Sequence, residues 1–70
     1  MTIKNVSFDE MITRLSRGYL CKRGDWEKGE YIEGSGDYIY KAVNIGSRRR
    51  KSIYALTFSD YVASDWIVLE

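Results

Sequence analysis

Ser7-Phe8-Asp9-Glu10-Met11-Ile12-Thr13-Arg14-Leu15-Ser16-Arg17-Gly18 carries the clearest structural signal in the chain. Ser7 and Glu10 stand at capping-box spacing, so the Ser7 hydroxyl can accept from the Glu10 amide and the Glu10 carboxylate can reach back to the Ser7 amide. Val6 and Met11 flank that cap as a hydrophobic staple. Phe8, Met11, Ile12 and Leu15 follow at i, i+3, i+4 and i+7, one apolar stripe of a helix. Arg14 and Arg17 suit the negative end of the helix dipole. Gly18 supplies a left-handed residue just past the end. The pattern predicts a helix over 8–17 as the first element.

Strand signals follow. Tyr19 to Arg23 reads as a short strand, and Gly24-Asp25 as a turn that delivers Trp26. Glu30 to Glu33 is a second strand, closed by a turn at Gly34-Ser35-Gly36-Asp37. Tyr38 to Ile45 alternates with no purely polar face, which suits a strand covered on both sides. Gly46-Ser47 opens a basic loop through Lys51, and Ser52 to Phe58 is a further strand. Ser59 can cap one helical turn from Asp60 to Ala63. Trp66 to Leu69 is the last strand. The expectation is one α+β domain over 1–70, an N-terminal helix packed on an antiparallel sheet of 4–5 strands.

Seventy residues bury only about 60% of the unfolded surface, so stability is marginal. Cys21 is the only cysteine and there is no histidine, which argues against an internal disulfide or a structural zinc site. Self-association is left as the way to bury more apolar surface. The aromatic share of 14% is high, and surplus tyrosine and tryptophan suit an interface or pocket. The first residues carry Lys4, Asp9 and Glu10 and no long apolar run, so neither a secretory signal nor a membrane span is expected.

Catalytic residues are scarce. Without histidine the commonest general base is missing. Cys21 has no activating partner in sequence reach and reads as a packing thiol. Asp25, Glu27, Glu30, Glu33 and Asp37 read as solvated charge. Gly34-Ser35-Gly36 lacks the third glycine and following helix of a phosphate loop. No enzyme activity, metal or cofactor is expected.

Arg48-Arg49-Arg50-Lys51 has three readings: a solvated hairpin tip that blunts aggregation, a salt-dependent nucleic-acid contact, or a phosphate grip on a small nucleotide. The net charge of +1 offers no global attraction to a polyanion. Trp26 and Trp66 are either core anchors or stacking platforms for a base. Arg23 and Asp65 sit near them and could form a buried pair.

The ordered set Phe8, Leu15, Gly18, Arg23-x-x-Trp26 and Asp60-x-x-Ala63-x-Asp65-Trp66-Ile67 resembles the second type of phage Thoeris anti-defence protein, a family similar also to one anti-CRISPR group. The matched segments cover about half the chain, at its two ends. The middle is shorter than is common in the family and has no proline. The resemblance implies a small α+β homotetramer in the cytoplasm of an infected bacterium. It implies a sponge that sequesters, without cleaving, a nucleotide-derived immune signal: glycocyclic ADP-ribose made by TIR-domain proteins, or a cyclic oligonucleotide. Arg23, Trp26, Asp65 and Trp66 carry over as motif positions. Arg48, Arg49 and Arg50 join the expected ligand set on phosphate chemistry alone. A protein-binding inhibitor such as an anti-CRISPR, or a nucleic-acid binder using the Arg48–Lys51 loop, stands as the alternative.

Overall fold

The computed structural model of the chain describes residues 2–69, which form six strands and two helices. In chain order these are β1 (Thr2–Val6), α1 (Phe8–Ser16), β2 (Leu20–Arg23), β3 (Tyr31–Ser35), β4 (Tyr38–Ile45), β5 (Arg48–Ile53), α2 (Phe58–Val62) and β6 (Trp66–Leu69). All strand pairs are antiparallel, in the order β1-β6-β2-β3-β4-β5. The α+β class is as expected. The sheet is larger than expected, and a strand precedes the first helix.

Helix α1 follows the sequence signals, except that only half of the capping box forms, the Glu10 carboxylate turning to Arg14 and not back to the Ser7 amide. Ser7 Oγ accepts from the Glu10 amide at 3.3 Å. Glu10 Oε1 pairs with Arg14 Nε at 3.3 Å, an i,i+4 contact. At the far end Gly18 takes φ +94°. The Tyr19 amide donates to Arg14 O and the Gly18 amide to Leu15 O, the pair of bonds that defines a Schellman cap.

Both long hairpins turn on two residues. Ser35 faces Tyr38 across Gly36-Asp37, and Ile45 faces Arg48 across Gly46-Ser47. In each, glycine holds the first central position with positive φ, +61° and +63°, as a II′-type hairpin turn requires. The second turn overturns the expected basic loop: Arg48–Ile53 is an edge strand, and the chain leaves the sheet after Ile53. A run of cations reads as a loop, but an edge strand exposed on both faces has no need of apolar residues.

Two further corrections concern short elements. β1 was not expected; its β-branched Thr2, Ile3 and Val6 pair with β6 around a register shift, with Asn5 at φ +59°. The second short helix is capped by Thr57, not Ser59. Thr57 and Asp60 form the complete capping box there.

Side chains alternate between two sheet faces. Cross-strand register puts Ile3, Val68, Trp66, Cys21, Arg23, Ile32, Ile39 and Lys41 on one face. Helix α1 packs there over β2, β3 and β6 and against α2. Met11 and Leu15 close the core with Val6, Cys21, Ile32, Trp66 and Val68. The opposite face carries Leu20, Ile67, Leu69, Tyr31 and Tyr40, all half-buried, and neither helix covers it. The expectation that β4 is covered on both sides is therefore not met. On that open face Arg49 bonds and stacks on Tyr31, and Lys51 pairs with Glu33. These bridges run from β5 to β3 across Ala42, whose small side chain lies fully buried beneath them.

Cys21 is fully buried, its Sγ 3.9 Å from Met11 O. Burial pushes its thiol up to about 11, far from the thiolate form that reacts. The folded protein at neutral pH should therefore resist a thiol reagent that modifies the urea-unfolded chain at once. Equal rates would place the thiol at the surface.

Candidate functional site

The two ends of the sequence meet beside β2 and β6. Arg23 Nε donates to Asp65 Oδ1 at 2.7 Å, and Arg23 Nη1 to Asp60 Oδ1 at 2.9 Å. The guanidinium also lies 5.6 Å from the centre of the Trp66 ring. Its pKa is raised, first by the Asp65 hydrogen bond. Gly24 lets the following turn come close, since a Cβ there would stand 3.3 Å from Asp65 O.

Asp60 is the hub of this clasp. It is 3% exposed. Its Oδ2 accepts from Tyr54 Oη at 2.8 Å and from the Thr57 amide at 2.9 Å. Its backbone carbonyl accepts from Trp66 Nε1 at 3.1 Å. Burial alone would push the Asp60 carboxyl up, but the bonds from Thr57, Tyr54 and Arg23 outweigh it and hold the carboxyl below its ordinary value. Tyr54 is pushed up to about 12, by burial first and then by Asp60, so it stays a neutral donor. Among the described residues no buried side-chain polar atom lacks a partner. Both carboxylates are bound to Arg23. That arrangement ties β2 to α2 and to the segment between α2 and β6. Among the described residues no His/Cys/Asp/Glu group is placed to hold a metal.

A second cluster adjoins the clasp. The Trp26 ring meets the Trp66 ring edge-on at 5.9 Å and the Tyr54 ring at 5.7 Å. Lys41 Nζ stands 3.9 Å from the centre of the Trp26 ring and 5.6 Å from that of Tyr54. No carboxylate of the described residues lies within ion-pair range of Lys41. From Lys41 the same sheet face runs outward along β4 and β5. Val43 pairs Arg50 and Ile45 pairs Arg48, so both arginines share the face of Lys41. Beyond the helix this strip is open, with Ile45, Arg48 and Arg50 exposed. The result is a shelf with aromatic rings at one end and three cations along it.

The predicted site residues thus divide. Arg23, Asp65 and Trp66 come together, and the Arg23–Asp65 pair exists, but it is not the buried pair expected: the Asp65 side chain is 45% exposed, and the buried partner of Arg23 is Asp60. Trp66 is fully buried, so it offers no face to a ligand. Trp26 is half-buried and borders the shelf. Arg48 and Arg50 lie on the shelf, whereas Arg49 points to the opposite face and is occupied by Tyr31. Sequence reasoning missed Lys41 and Tyr54. Lys41 sat in an alternating strand that already named its face-mates, but its aromatic neighbours come from distant segments. Elsewhere, a groove of about 200 Å³ lies between the end of α1 and the β3–β4 turn, lined by Ile12, Leu15, Tyr38 and Ile39 among others. It has few polar groups to orient a ligand.

Fold and site together define a small α+β domain with an aromatic–cation shelf beside an ionic clasp. Comparisons with protein-family models, with curated proteins and with solved structures find no match. Among the described residues no helix is long and apolar enough to cross a membrane.

Proposed function

We propose that this chain is a non-catalytic binding protein that sequesters a phosphorylated, nucleotide-derived immune signal, glycocyclic ADP-ribose or a cyclic oligonucleotide, on the shelf. One observation carries the reading: the Lys41 ammonium is held over Trp26, and no carboxylate of the described residues stands beside it. A cation oriented by aromatic faces and lacking a counter-ion is a place for an anion. Arg50 and Arg48 extend it for further phosphoryl oxygens, and Trp26 and Tyr54 offer apolar edges to a base or ribose. The end motifs behind the family resemblance supply the clasp that fixes Trp26 and Tyr54 in place.

The same reading has the protein self-associate. The sheet face bearing Leu20, Ile67, Leu69, Tyr31 and Tyr40 has no helix over it, and a chain this short gains most by covering such a face with a second copy. A second reading, a protein-binding inhibitor of a bacterial defence system, is favoured by α2. That helix buries its acid and turns Phe58, Tyr61 and Val62 outward, with Phe58 79% exposed. Outward apolar groups in a cluster suit a protein partner.

Calorimetric titration with glycocyclic ADP-ribose and with cyclic oligonucleotides separates these readings, with solution mass measured alongside. Binding should saturate, and heat denaturation should release the ligand intact. Lys41→Ala should weaken binding by about tenfold or more, the loss of one charge-assisted contact, with the melting temperature little changed. Absence of binding across that panel removes the sponge reading, and hydrolysed ligand removes the non-catalytic one.

A further inference from the structure

We infer that the outer edge of β5 is a docking site for an extended peptide segment with carboxylates at alternate positions, which joins the sheet as a seventh strand. The inference shares Arg48 and Arg50 with the nucleotide shelf but rests on the backbone of β5, not on Lys41 and its aromatic neighbours.

Among the described residues strand β5 ends the sheet and pairs only with β4. The two-residue turn makes Ile45 and Arg48 a hydrogen-bonded pair, and such pairs recur at every second residue. The Tyr54 amide, donating to Ile39 O at 2.8 Å, marks the same alternation at the far end. Arg48, Arg50 and Ser52 therefore spend their backbone groups on β4. Arg49, Lys51 and Ile53 turn theirs to the open edge. The side chains of Arg49 and Lys51 do not obstruct it, because they lean inward to Tyr31 and Glu33.

The two sheet edges differ. β1 is interrupted by a register shift and by Asn5 at positive φ, devices that blunt an edge. β5 keeps unbroken register over all six residues. Its charges decide the partner. Two β5 edges pairing with each other would set cations against cations. Arg48 and Arg50 share one face, are exposed, and have no carboxylate partner among the described residues. A strand with acids two residues apart meets both, while its other side chains lie over the opposite face. A nucleic acid would satisfy the arginines but not the row of amides and carbonyls.

The test is an amide NMR titration with the capped peptide Thr-Glu-Val-Glu-Val-Thr. With the peptide antiparallel and its glutamates opposite Arg48 and Arg50, the amides of Arg49 and Lys51 should shift and become protected from exchange; those of Arg48, Arg50 and Ser52 should keep the protection they have. Replacing both glutamates by lysine, or making the exposed substitutions Arg48→Glu and Arg50→Glu together, should weaken binding by about tenfold or more. A proline at the central valine should do the same by removing a ladder donor. Lys41→Ala should leave peptide binding unchanged, so the fate of the shelf does not decide the fate of the edge. Three results overturn the inference: no response of the Arg49 and Lys51 amides at millimolar peptide, equal binding of the lysine peptide, or oligothymidine binding in the absence of any peptide response.

Discussion

Asp60→Ala should cost about 3–5 kcal/mol, the penalty for removing one partner of a buried ion pair. A 70-residue chain has roughly 4–10 kcal/mol in all, so most of its stability should go. At roughly 4–8 °C per kcal/mol for a domain of this size, the melting temperature should fall by more than about 12 °C. The size of the effect follows from how many groups Asp60 serves. Its side chain holds Arg23, Tyr54 and the Thr57 amide. Without it a guanidinium at the edge of the core keeps only Asp65, and α2 loses its capping box. The effect also has a pH signature. The folded carboxyl lies below its ordinary value of 3.8. Its contribution is therefore complete above that value and is lost as pH falls through the lower, folded one. Wild type should lose stability there, and the variant should show a shallower acid dependence. Circular-dichroism melts of both proteins across that range provide the check. A loss smaller than about 5 °C would mean that Asp60 is not the hub of the clasp.

Trp66→Ala should cost a similar amount, about 3–5 kcal/mol, as for other large core aromatics. Trp66 is fully buried, anchored at Nε1, and flanked by Arg23 and Trp26. Trp26→Ala should cost clearly less, because Trp26 is half-buried and donates no side-chain hydrogen bond within the described residues. It should instead release Lys41 from its aromatic support and weaken ligand binding. Urea unfolding midpoints for the two variants, read beside ligand titrations, test the division. Equal midpoints would mean that both tryptophans are core anchors.

The ease of reading each element follows from where its determinants lie. Helix α1 was legible because its cap, stripe and terminal glycine are all local in sequence. The turn at Gly36-Asp37 was legible for the same reason, whereas Gly46-Ser47 read as the start of a longer basic loop. Strand β5 was not. Its arginines satisfy no strand pattern, and only its position beside β4 makes it a strand. Helix α2 hides its orientation, since Phe58, Tyr61 and Val62 face out while Asp60 faces in. Thr57-Phe58-Ser59-Asp60 has the same capping form as Ser7 to Glu10, and that form was the available signal. At the site, the Arg23–Asp65 pair could be anticipated from the two end motifs. The placing of Lys41 over Trp26 could not, because it depends on how the β2–β3 loop folds back across a strand.

The pairing of β1 with β6 has a consequence for fragments of the protein. Thr2 faces Leu69, so one ladder joins segments separated by nearly the whole chain. Strands β3, β4 and β5 are linked by two-residue turns and need nothing from that ladder to meet. Trp66 and Val68, however, arrive only with β6. A fragment ending before residue 66 keeps its hairpins and its helix signals but has no centre to pack them on. During synthesis the core therefore cannot close before Trp66 and Val68 have emerged.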